Sequence, residues 1–338
     1  MVNKIYKRKK LTVSLLILAV VAAAALWGFA PIPGEVAERE RDELVIGYFP
    51  NLTHAPAMVG LEKGYYEEEL DGVEIRTETF PDGSLFMDSL LTGAVDVGFV
   101  GPGPALNRFV EGGEVVNIAG ASNAGNIMVA APGVEIDSAE DLDDRVVATP
   151  ALGCTHDLQL RKMIDGSDLS TTRRGGTIDH RTQAPANVAG LFRRGQMDAA
   201  VVSEPWASRI EQADEGHVAL EWDEVPWEGD LPATITVARE DIYEQEEDII
   251  EDFLAAHERS VEFLQENPEE SARIIQKQID EITQQELELS VLESSLERTV
   301  FSTDLHREAV EEMAEVSHDH GFVSSSDLEG FFQLDWGD

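Results

Sequence analysis

Short apolar runs alternate with helix-type stretches along most of the chain. Runs rich in Val, Ile and Phe, or alternating between apolar and polar positions, predict strands at residues 44–49, 73–80, 95–100, 115–119, 146–149 and 199–202. The stretches that suit helices between them are residues 55–63, 84–92, 155–164 and 186–193. Because strands alternate with helices of about ten residues, the pattern predicts an α/β chain with largely parallel sheets.

The same rhythm starts again after residue 130, which predicts two similar halves. Two further apolar segments, residues 127–131 and 233–238, are predicted to cross between the halves. Beyond the second crossing the chain is strongly helical, with helices predicted at residues 241–267, 269–278, 286–300 and 307–318. The total length of 338 residues fits two globular units.

The first 30 residues carry an export pattern. A group of five basic residues, with no acidic one, precedes the apolar stretch 11–30. This pattern is typical of a signal peptide or an N-terminal membrane anchor, and as a helix the stretch would span about 30 Å. The basic flank stays inside, so we expect the rest of the chain at the outer face of the cytoplasmic membrane, anchored or secreted. The sequence leaves cleavage and retention of the segment both open.

Residues 31–43, which begin Pro-Ile-Pro-Gly and continue with Glu and Arg, predict a linker. The single cysteine, Cys154, excludes internal disulfides. The remaining part of about 295 residues is large enough to bury a stable core without them.

The charge of the chain indicates the surroundings in which the protein works rather than its function. The chain has 66 acidic and 25 basic side chains, for a net charge of −41, and since residues 1–30 carry +5 the remainder carries −46. The lysines beyond residue 30 are only Lys63, Lys162 and Lys277. An acidic, lysine-poor surface stays hydrated where salt screens its repulsion, so we interpret the composition as adaptation to high salt. The alternative is an acidic mesophilic protein that works at an ordinary salt concentration. Nucleic-acid binding is excluded in either case.

Sequence motifs of common enzyme classes are absent. The chain has no Gly-x-Ser-x-Gly elbow, no His-Glu-x-x-His and no Gly-x-x-x-x-Gly-Lys loop. His318-Asp319-His320 could bind a metal weakly, but a solvated helix end is the simpler interpretation. We therefore expect no catalytic residue, cofactor or metal.

Three loops at strand ends or helix starts could bind a ligand: residues 51–54, 101–104 and 153–157. In the last of them, Gly153 and Thr155 could free backbone N–H groups for an anion at a helix start, or Thr155 could be an ordinary N-cap. Cys154 could be a thiolate there, although a small packing residue is the simpler interpretation. The segment 204–206, Glu-Pro-Trp, could place a carboxylate at a ligand or form a turn with a packed Trp.

Four segments, in this order and spacing, resemble one family. They are residues 46–56 with 60–66, residues 96–104, residues 148–157 and residues 195–206. Together they resemble the substrate-binding proteins of ABC importers for nitrate, taurine and aliphatic sulfonates, a family that includes binders of thiamine-pyrimidine precursors.

The resemblance implies a two-lobed periplasmic-binding-protein type II fold with two crossing hinge strands. Lobe one would comprise residues 44–130 plus 233–338, and lobe two residues 131–232. The residues that match family ligand sites are Asn51, Thr53, His54, Gly101, Gly103, Ser122, Asn123, Cys154, Thr155, His156 and Glu204. The sequence departs from its relatives at Cys154, where Asn is common.

The expected function is that of the extracytoplasmic solute-binding component of an ABC importer, with permease and ATPase subunits as partners and the membrane contacted through the N-terminal segment. The ligand would be a small oxyanion-bearing solute, held by backbone N–H and hydroxyl groups near Thr155 rather than by a buried Arg. Glu204 would suit an amine on the ligand. The alternative is a thiamine-pyrimidine precursor binding or synthesis protein of the same fold, for which His54 is the candidate residue. A sensor domain is a third hypothesis.

Overall fold

The computed structural model describes residues 41–333, which form two β-sheets. Each sheet contains one strand that the chain enters directly from the other sheet. The predicted export segment and residues 31–40 of the predicted linker lie outside the described residues. Of that linker, Arg41 pairs with Asp96 at 3.1 Å and Glu43 begins the first strand. No helix within residues 41–333 is long and apolar enough to cross a membrane.

The first sheet has six strands in the order β11-β4-β10-β3-β1-β2. Strand β1 runs parallel to β2 and β3, while β10 is antiparallel to β3 and β4, and β4 is antiparallel to β11. Its strands are β1 Glu43–Tyr48, β2 Glu74–Thr79, β3 Val97–Val100, β4 Val115–Ala124, β10 Pro232–Arg239 and β11 Thr299–Phe301.

The second sheet has five strands in the order β7-β6-β8-β5-β9. Strand β6 is parallel to β7 and β8, and β5 is antiparallel to β8 and β9. Its strands are β5 Asn126–Ala130, β6 Val146–Thr149, β7 Asp179–Thr182, β8 Ala199–Ser203 and β9 His217–Leu220. Both sheets repeat one arrangement, in which three parallel strands are followed by an antiparallel strand that enters from the other sheet. We call the parts built around the first and second sheets lobe one and lobe two.

Helices connect most of the strands, and several more follow strand β10 in the chain. They are α1 Ala55–Lys63, α2 Tyr65–Glu69, α3 Gly83–Leu91, α4 Pro102–Val110, α5 Thr155–Ile164, α6 Val188–Arg193, α7 Trp206–Gln212, α8 Glu240–Gln245, α9 Glu247–Glu266, α10 Pro268–Thr283, α11 Leu289–Glu297 and α12 Arg307–Asp319. The buried positions of α9 include Ile249, Ile250, Phe253 and Ala256, the spacing of one apolar helix face. That face packs the helix against α1 and α2 of lobe one.

The chain passes between the sheets at two short connections. Strand β4 ends at Ala124 and strand β5 begins at Asn126, and both Ala124 and Gly125 have left-handed φ angles, 57° and 70°. These two residues turn the chain out of one sheet and into the next. The second connection runs from the end of β9 to Pro232 at the start of β10.

The α/β prediction is confirmed, and several predicted elements agree closely with the observed ones. Strand 146–149 and helix 155–164 have the predicted bounds. The predicted helix 241–267 is instead two helices, because the backbone at Glu246 leaves the helical region. The segments predicted to cross between the halves, residues 127–131 and 233–238, fall largely in strands β5 and β10. Each of these strands pairs within one sheet, and the chain passes between the sheets just before each of them.

Candidate functional site

The loop after β1 is held by a set of side-chain hydrogen bonds. The Oδ1 atom of Asn51 accepts from the backbone N–H of Thr53 at 3.0 Å and from its hydroxyl at 2.8 Å. The hydroxyl of Thr234 donates to Thr53 Oγ1 at 2.8 Å, and Ser122 donates to the Thr53 carbonyl at 2.8 Å. Strands β1, β4 and β10 therefore converge on Thr53.

His54 ends the same short turn and is buried, with 2% of its surface exposed. Its ring lies 4.5 Å from that of Phe49, centroid to centroid. The Nδ1 atom has no hydrogen-bond partner within residues 41–333. Burial lowers the pKa of His54 to about 3, so the ring is neutral at neutral pH. His54 can exchange one hydrogen bond with a ligand but cannot supply a positive charge.

The loop after β3 in lobe one packs directly against the start of α5 in lobe two. We call this contact between the lobes the seam. The backbone N–H of Gly103 donates to Thr155 Oγ1 at 3.2 Å. A Cβ atom on Gly101 would lie 2.4 Å from that oxygen, and one on Gly103 would lie 2.7 Å from the Thr155 nitrogen. Only glycine permits so close an approach. Thr155 is the first helical residue, with Cys154 at the N-cap, so it is not the ordinary N-cap considered from the sequence.

A buried cluster of charged and polar groups fixes the loop before α5. The Oδ2 atom of Asp157, which is fully buried, accepts from the backbone N–H of Gly153 at 2.8 Å. Its other oxygen pairs with Arg161 Nε at 3.0 Å, and Arg161 also donates to Thr171 at 3.2 Å. His180 lies beside Arg161, and burial is the main cause that lowers its pKa. The sequence analysis did not single out this cluster, although the i, i+4 spacing of Asp157 and Arg161 is its one visible sign.

Cys154 and His156 flank Thr155. Cys154 is buried, and burial raises the pKa of its thiol to about 12, which excludes a thiolate at neutral pH. It lines a cavity of about 180 Å³ between the lobes, with Pro104 on the opposite side. Burial lowers the pKa of His156 to about 4, and the buried Nε2 atom has no partner among the described residues.

Three amide side chains that approach the seam carry unpaired atoms. The Nδ2 atom of Asn123 contacts the ring of His306, while its Oδ1 has no partner in the described part of the chain. Both amide atoms of Asn126 and both of Gln159 are likewise buried without a partner there. The sequence analysis did not single out Asn126 or Gln159. A polar residue directly after the Ala124–Gly125 turn was the available sign for the first, and the i, i+3 spacing from His156 for the second.

Glu204 is completely buried and its carboxylate faces protein groups. It accepts from the backbone N–H of Ser208 at 3.0 Å, from the Ser208 hydroxyl at 2.8 Å and from the Ser295 hydroxyl at 3.1 Å. Arg298 lies 3.7 Å away. Burial raises the pKa of Glu204 against the lowering effect of these donors. The Glu204 carbonyl accepts from the backbone N–H of Leu52 at 3.1 Å, which ties the two predicted ligand loops together.

The predicted site residues thus form two contacting groups. Asn51 and Ser122 are each hydrogen-bonded to Thr53, and Gly101 and Gly103 pack on Thr155. By contrast, the His156 Nε2 atom has no hydrogen-bond partner within residues 41–333, and the Asn123 side chain contacts His306, which is not a predicted site residue.

The register of the sheets explains why these residues approach each other. In lobe one the loops 51–54 and 101–104 follow the carboxyl ends of the parallel strands β1 and β3. In lobe two Asn126 pairs with Ser203 at the carboxyl end of β8, next to the strand β6 that leads to α5. The contact between Gly103 and Thr155 brings these two edges together. Carboxyl ends of parallel strands are where open α/β sheets bind ligands.

The residues His318, Asp319 and His320, considered from the sequence as a weak metal site, do not form a cluster. His318 contacts its neighbour Asp319 at 3.3 Å, whereas His320 pairs with Asp165 of lobe two at 2.9 Å. Over residues 41–333, no group of three or more His, Cys, Asp or Glu side chains could hold a metal ion.

Known proteins share both the sequence pattern and the fold. A model of the NMT1-like family matches residues 37–279. The chain is 26% identical over 258 residues to the protein named as binding protein YtlA of Bacillus subtilis (strain 168), and the match covers 73% of this chain and 72% of YtlA.

Two solved structures share the fold at low sequence identity. The alkanesulfonate-binding protein SsuA from Xanthomonas axonopodis pv. citri, bound to MOPS, matches with a TM-score of 0.73 and 16% identity over 87% of this chain and 99% of SsuA. The periplasmic nitrate-binding protein NrtA from Synechocystis PCC 6803 matches with a TM-score of 0.71 and 16% identity, over 85% of this chain and 83% of NrtA.

The fold is therefore that of the two-lobed periplasmic binding proteins, which confirms the fold that the sequence resemblance implied. The chain belongs to the NMT1-like family. Its reported relatives are named as binding proteins and not as enzymes.

Proposed function

We propose that this chain is the extracytoplasmic solute-binding component of an ABC importer and takes a small oxyanion-bearing solute of the aliphatic sulfonate, taurine or nitrate class. The ligand would lie between the two lobes, for which the sequence predicts residues 44–130 plus 233–338 and residues 131–232. We keep this division, except that strand β5, Asn126–Ala130, belongs to the second sheet and so to lobe two. Its partners would be permease and ATPase subunits. As a binding protein it needs neither a catalytic residue nor a cofactor.

One observation carries this proposal. In the loops predicted to bind the ligand, both lobes contribute buried polar atoms that no described protein group satisfies: His54 Nδ1 after β1 and His156 Nε2 in the first turn of α5. Unpaired buried polar groups are rare in folded proteins because each costs free energy. A ligand enclosed between the lobes would supply the missing partners.

The oxyanion would be held at the start of α5. Thr155 Oγ1 already accepts from Gly103, and a hydroxyl in that position still has its own hydrogen to donate. The helix dipole adds favourable potential for an anion, so a cationic side chain is not needed. The buried Arg161 is paired with Asp157 and does not have to serve as the anion ligand. Asn51, Thr53, Ser122, Asn123, Gly101, Cys154 and Glu204 would complete or support this site.

A thiamine-pyrimidine precursor is the second candidate ligand. The match to the NMT1-like family and the two neutral histidines favour it, because an uncharged imidazole pairs well with a heterocycle that both donates and accepts hydrogen bonds.

The setting of this function would be outside the cytoplasm. The basic and apolar segment 1–30 supports export or anchoring at the membrane, and the −46 charge of the remaining residues supports work in a saline medium.

A thermal-shift panel in molar KCl tests the function. It should include taurine, alkanesulfonates, nitrate, bicarbonate and pyrimidine precursors, each over a range of concentrations. A ligand at 100 times its Kd adds about 2.7 kcal/mol to the free energy of unfolding. A panel in which no oxyanion shifts the Tm contradicts the oxyanion assignment, and a shift by the pyrimidines alone favours the second candidate.

Two matched variants test the location. Thr155→Ala should weaken oxyanion binding, while the control Thr77→Ala on the exposed face of β2 should not. Equal affinity of Thr155→Ala and the unaltered protein would exclude the start of α5 as the anion site.

A further inference from the structure

Three buried carbonyl oxygens near the interlobe seam lack a hydrogen-bond donor within residues 41–333. They are Asn123 Oδ1, Asn126 Oδ1 and Gln159 Oε1, in side chains that are only 3%, 1% and 1% exposed. The amide nitrogens of Asn126 and Gln159 also lack acceptors there. A buried carbonyl oxygen accepts hydrogen bonds and cannot donate, so a group that pairs with these atoms must carry N–H or O–H bonds.

The three amides come from both lobes. Asn123 lies near the end of β4 and Asn126 at the start of β5, on either side of the turn between the sheets. Gln159 shares a face of α5 with His156 and with Met163, at spacings of three and four residues.

A large cavity lies next to residues that neighbour two of these amides. It has a volume of about 890 Å³, and both Met163 and His306 line it. The His306 ring contacts the side chain of Asn123, and Met163 lies one helical turn beyond Gln159. The cavity is therefore lined by the next-turn neighbour of Gln159 on α5 and by the histidine that contacts Asn123, one from each lobe.

We propose, on the basis of the proposed function, that Asn126 and Gln159 determine specificity and that the ligand carries N–H or O–H donors as well as acceptor groups. The amide nitrogens would bind acceptor atoms of the ligand, and the amide oxygens would bind its donors. The unpaired set of His54, Asn123, Asn126, His156 and Gln159 contains no side chain charged at neutral pH, so it recognises hydrogen-bonding pattern rather than net charge.

An anion with acceptor atoms only fits this arrangement poorly. Nitrate or a simple alkanesulfonate would leave the three carbonyl oxygens unpaired and bring ligand oxygens towards them. Sites built to hydrogen-bond a polar group discriminate strongly against an analogue that lacks it, because their own buried groups then stay unsatisfied. An aminated or hydroxylated ligand avoids this loss.

Isothermal titration in molar KCl with matched ligand pairs tests the inference. The first pair is taurine and ethanesulfonate, which differ by the amino group. The second is 4-amino-2-methylpyrimidine and 2,4-dimethylpyrimidine, which differ in the same way within the alternative ligand class. The donor-bearing member of at least one pair should bind about tenfold tighter or better, as expected for one satisfied buried group.

The variants Gln159→Leu and Asn126→Leu locate the effect. Each should weaken the donor-bearing ligand about tenfold and change its partner less than about threefold, so that the preference shrinks. The control is Gln245→Leu, at an exposed position at the end of α8, which should leave both affinities unchanged. The Tm of the ligand-free variants separates recognition from structure. Removing an unsatisfied amide should leave the Tm equal or higher.

Equal affinities within both pairs would overturn the inference, as would variants that keep the full preference or that melt several degrees lower without ligand. If the sulfonates and nitrate fail to bind but the aminopyrimidine binds tighter than its methyl analogue, the oxyanion function fails and this inference stands. If neither the oxyanions nor the pyrimidines bind, both the proposed function and this inference are contradicted.

Discussion

The backbone N–H of Gly103 in lobe one donates a hydrogen bond to the Thr155 hydroxyl in lobe two, across 3.2 Å. Each residue follows the carboxyl end of a parallel strand, so this bond joins the two edges where a ligand is expected. The lobes therefore meet through protein atoms at the proposed site, and we expect closure and ligand binding to depend on this contact.

A methyl group at Gly103 should hold the lobes apart. In the Gly103→Ala variant, Cβ would lie 2.7 Å from the Thr155 nitrogen and 2.9 Å from the Cys154 carbonyl carbon, and these backbone atoms cannot move aside without opening the seam. We expect ligand affinity, measured by isothermal titration, to fall by a factor on the order of 10 to 100, as for about 1–3 kcal/mol of overpacking.

The matched control is Gly190→Ala in α6, where the new Cβ would meet only the guanidinium ends of Arg194, at 3.4 Å, and Arg193, at 3.9 Å. This change should leave affinity intact and slightly stabilise the helix. Unchanged affinity in Gly103→Ala would show that binding does not require the observed contact.

Acid should destabilise the protein through its buried histidines. Burial lowers the pKa of His54 to about 3 and those of His156 and His257 to about 4, against 6.5 in the unfolded chain. The unfolded state therefore takes up protons first. The stability that these groups contribute is complete above about pH 6.5 and is lost as pH falls towards their folded pKa values. Each should contribute about 1.4 kcal/mol per pH unit to the slope in that window.

Urea denaturation at constant high salt, at pH 7, 6 and 5, measures this slope for the unaltered protein and for His54→Gln. The variant should lose stability less steeply, by about one proton. Identical slopes would mean that His54 is protonated in the folded state.

Breaking the buried pair of Asp157 and Arg161 should be costly. Arg161→Met leaves the fully buried Asp157 carboxylate without its cation, for which we expect a loss of about 3–5 kcal/mol in the free energy of unfolding. The control Arg273→Met removes an exposed pair with Glu269 at 3.9 Å and should cost less than about 1 kcal/mol.

Chemical denaturation of both variants and of the double variant Asp157→Asn with Arg161→Met makes the comparison. The double variant should recover part of the loss, because no charge then stays buried alone. Similar losses for Arg161→Met and Arg273→Met would argue against a buried role for Arg161.

Cys154 should report on opening of the seam. With a thiol pKa of about 12, its thiolate fraction at pH 8 is on the order of 10³-fold below that of an ordinary cysteine, and the side chain is buried. Alkylation should therefore be slow in the native protein and fast in urea. A ligand that holds the lobes together should slow it further. Fast native labelling that ignores ligand would place Cys154 outside the closing surface.

The local elements were largely predictable from the sequence because local patterns encode them. The helix at 155–164 follows from its apolar spacing, and the strand at 146–149 from its run of β-branched residues. Short strands such as Asp179–Thr182 and Thr299–Phe301 were missed, since they lie at sheet edges and form by pairing with a distant strand.

The site was predictable only as a set of loops. In sequence, Asp157 and Arg161 look like an exposed helical ion pair, and only the fold buries them. Glu204 lies in a predicted ligand segment, yet Ser208 and Ser295 take up its carboxylate, and Ser295 is 91 residues away along the chain. Side-chain direction and burial depend on such distant partners, which a single sequence does not reveal.

The turn at Ala124 and Gly125 and the segment before β10 are the two covalent ties between the sheets. Two ties define an axis, so relative motion of the lobes reduces mainly to rotation about one line. A single distance between two labels, one on each lobe, would then measure occupancy directly. Two such labels would make this chain an optical reporter of the solute that we propose it binds.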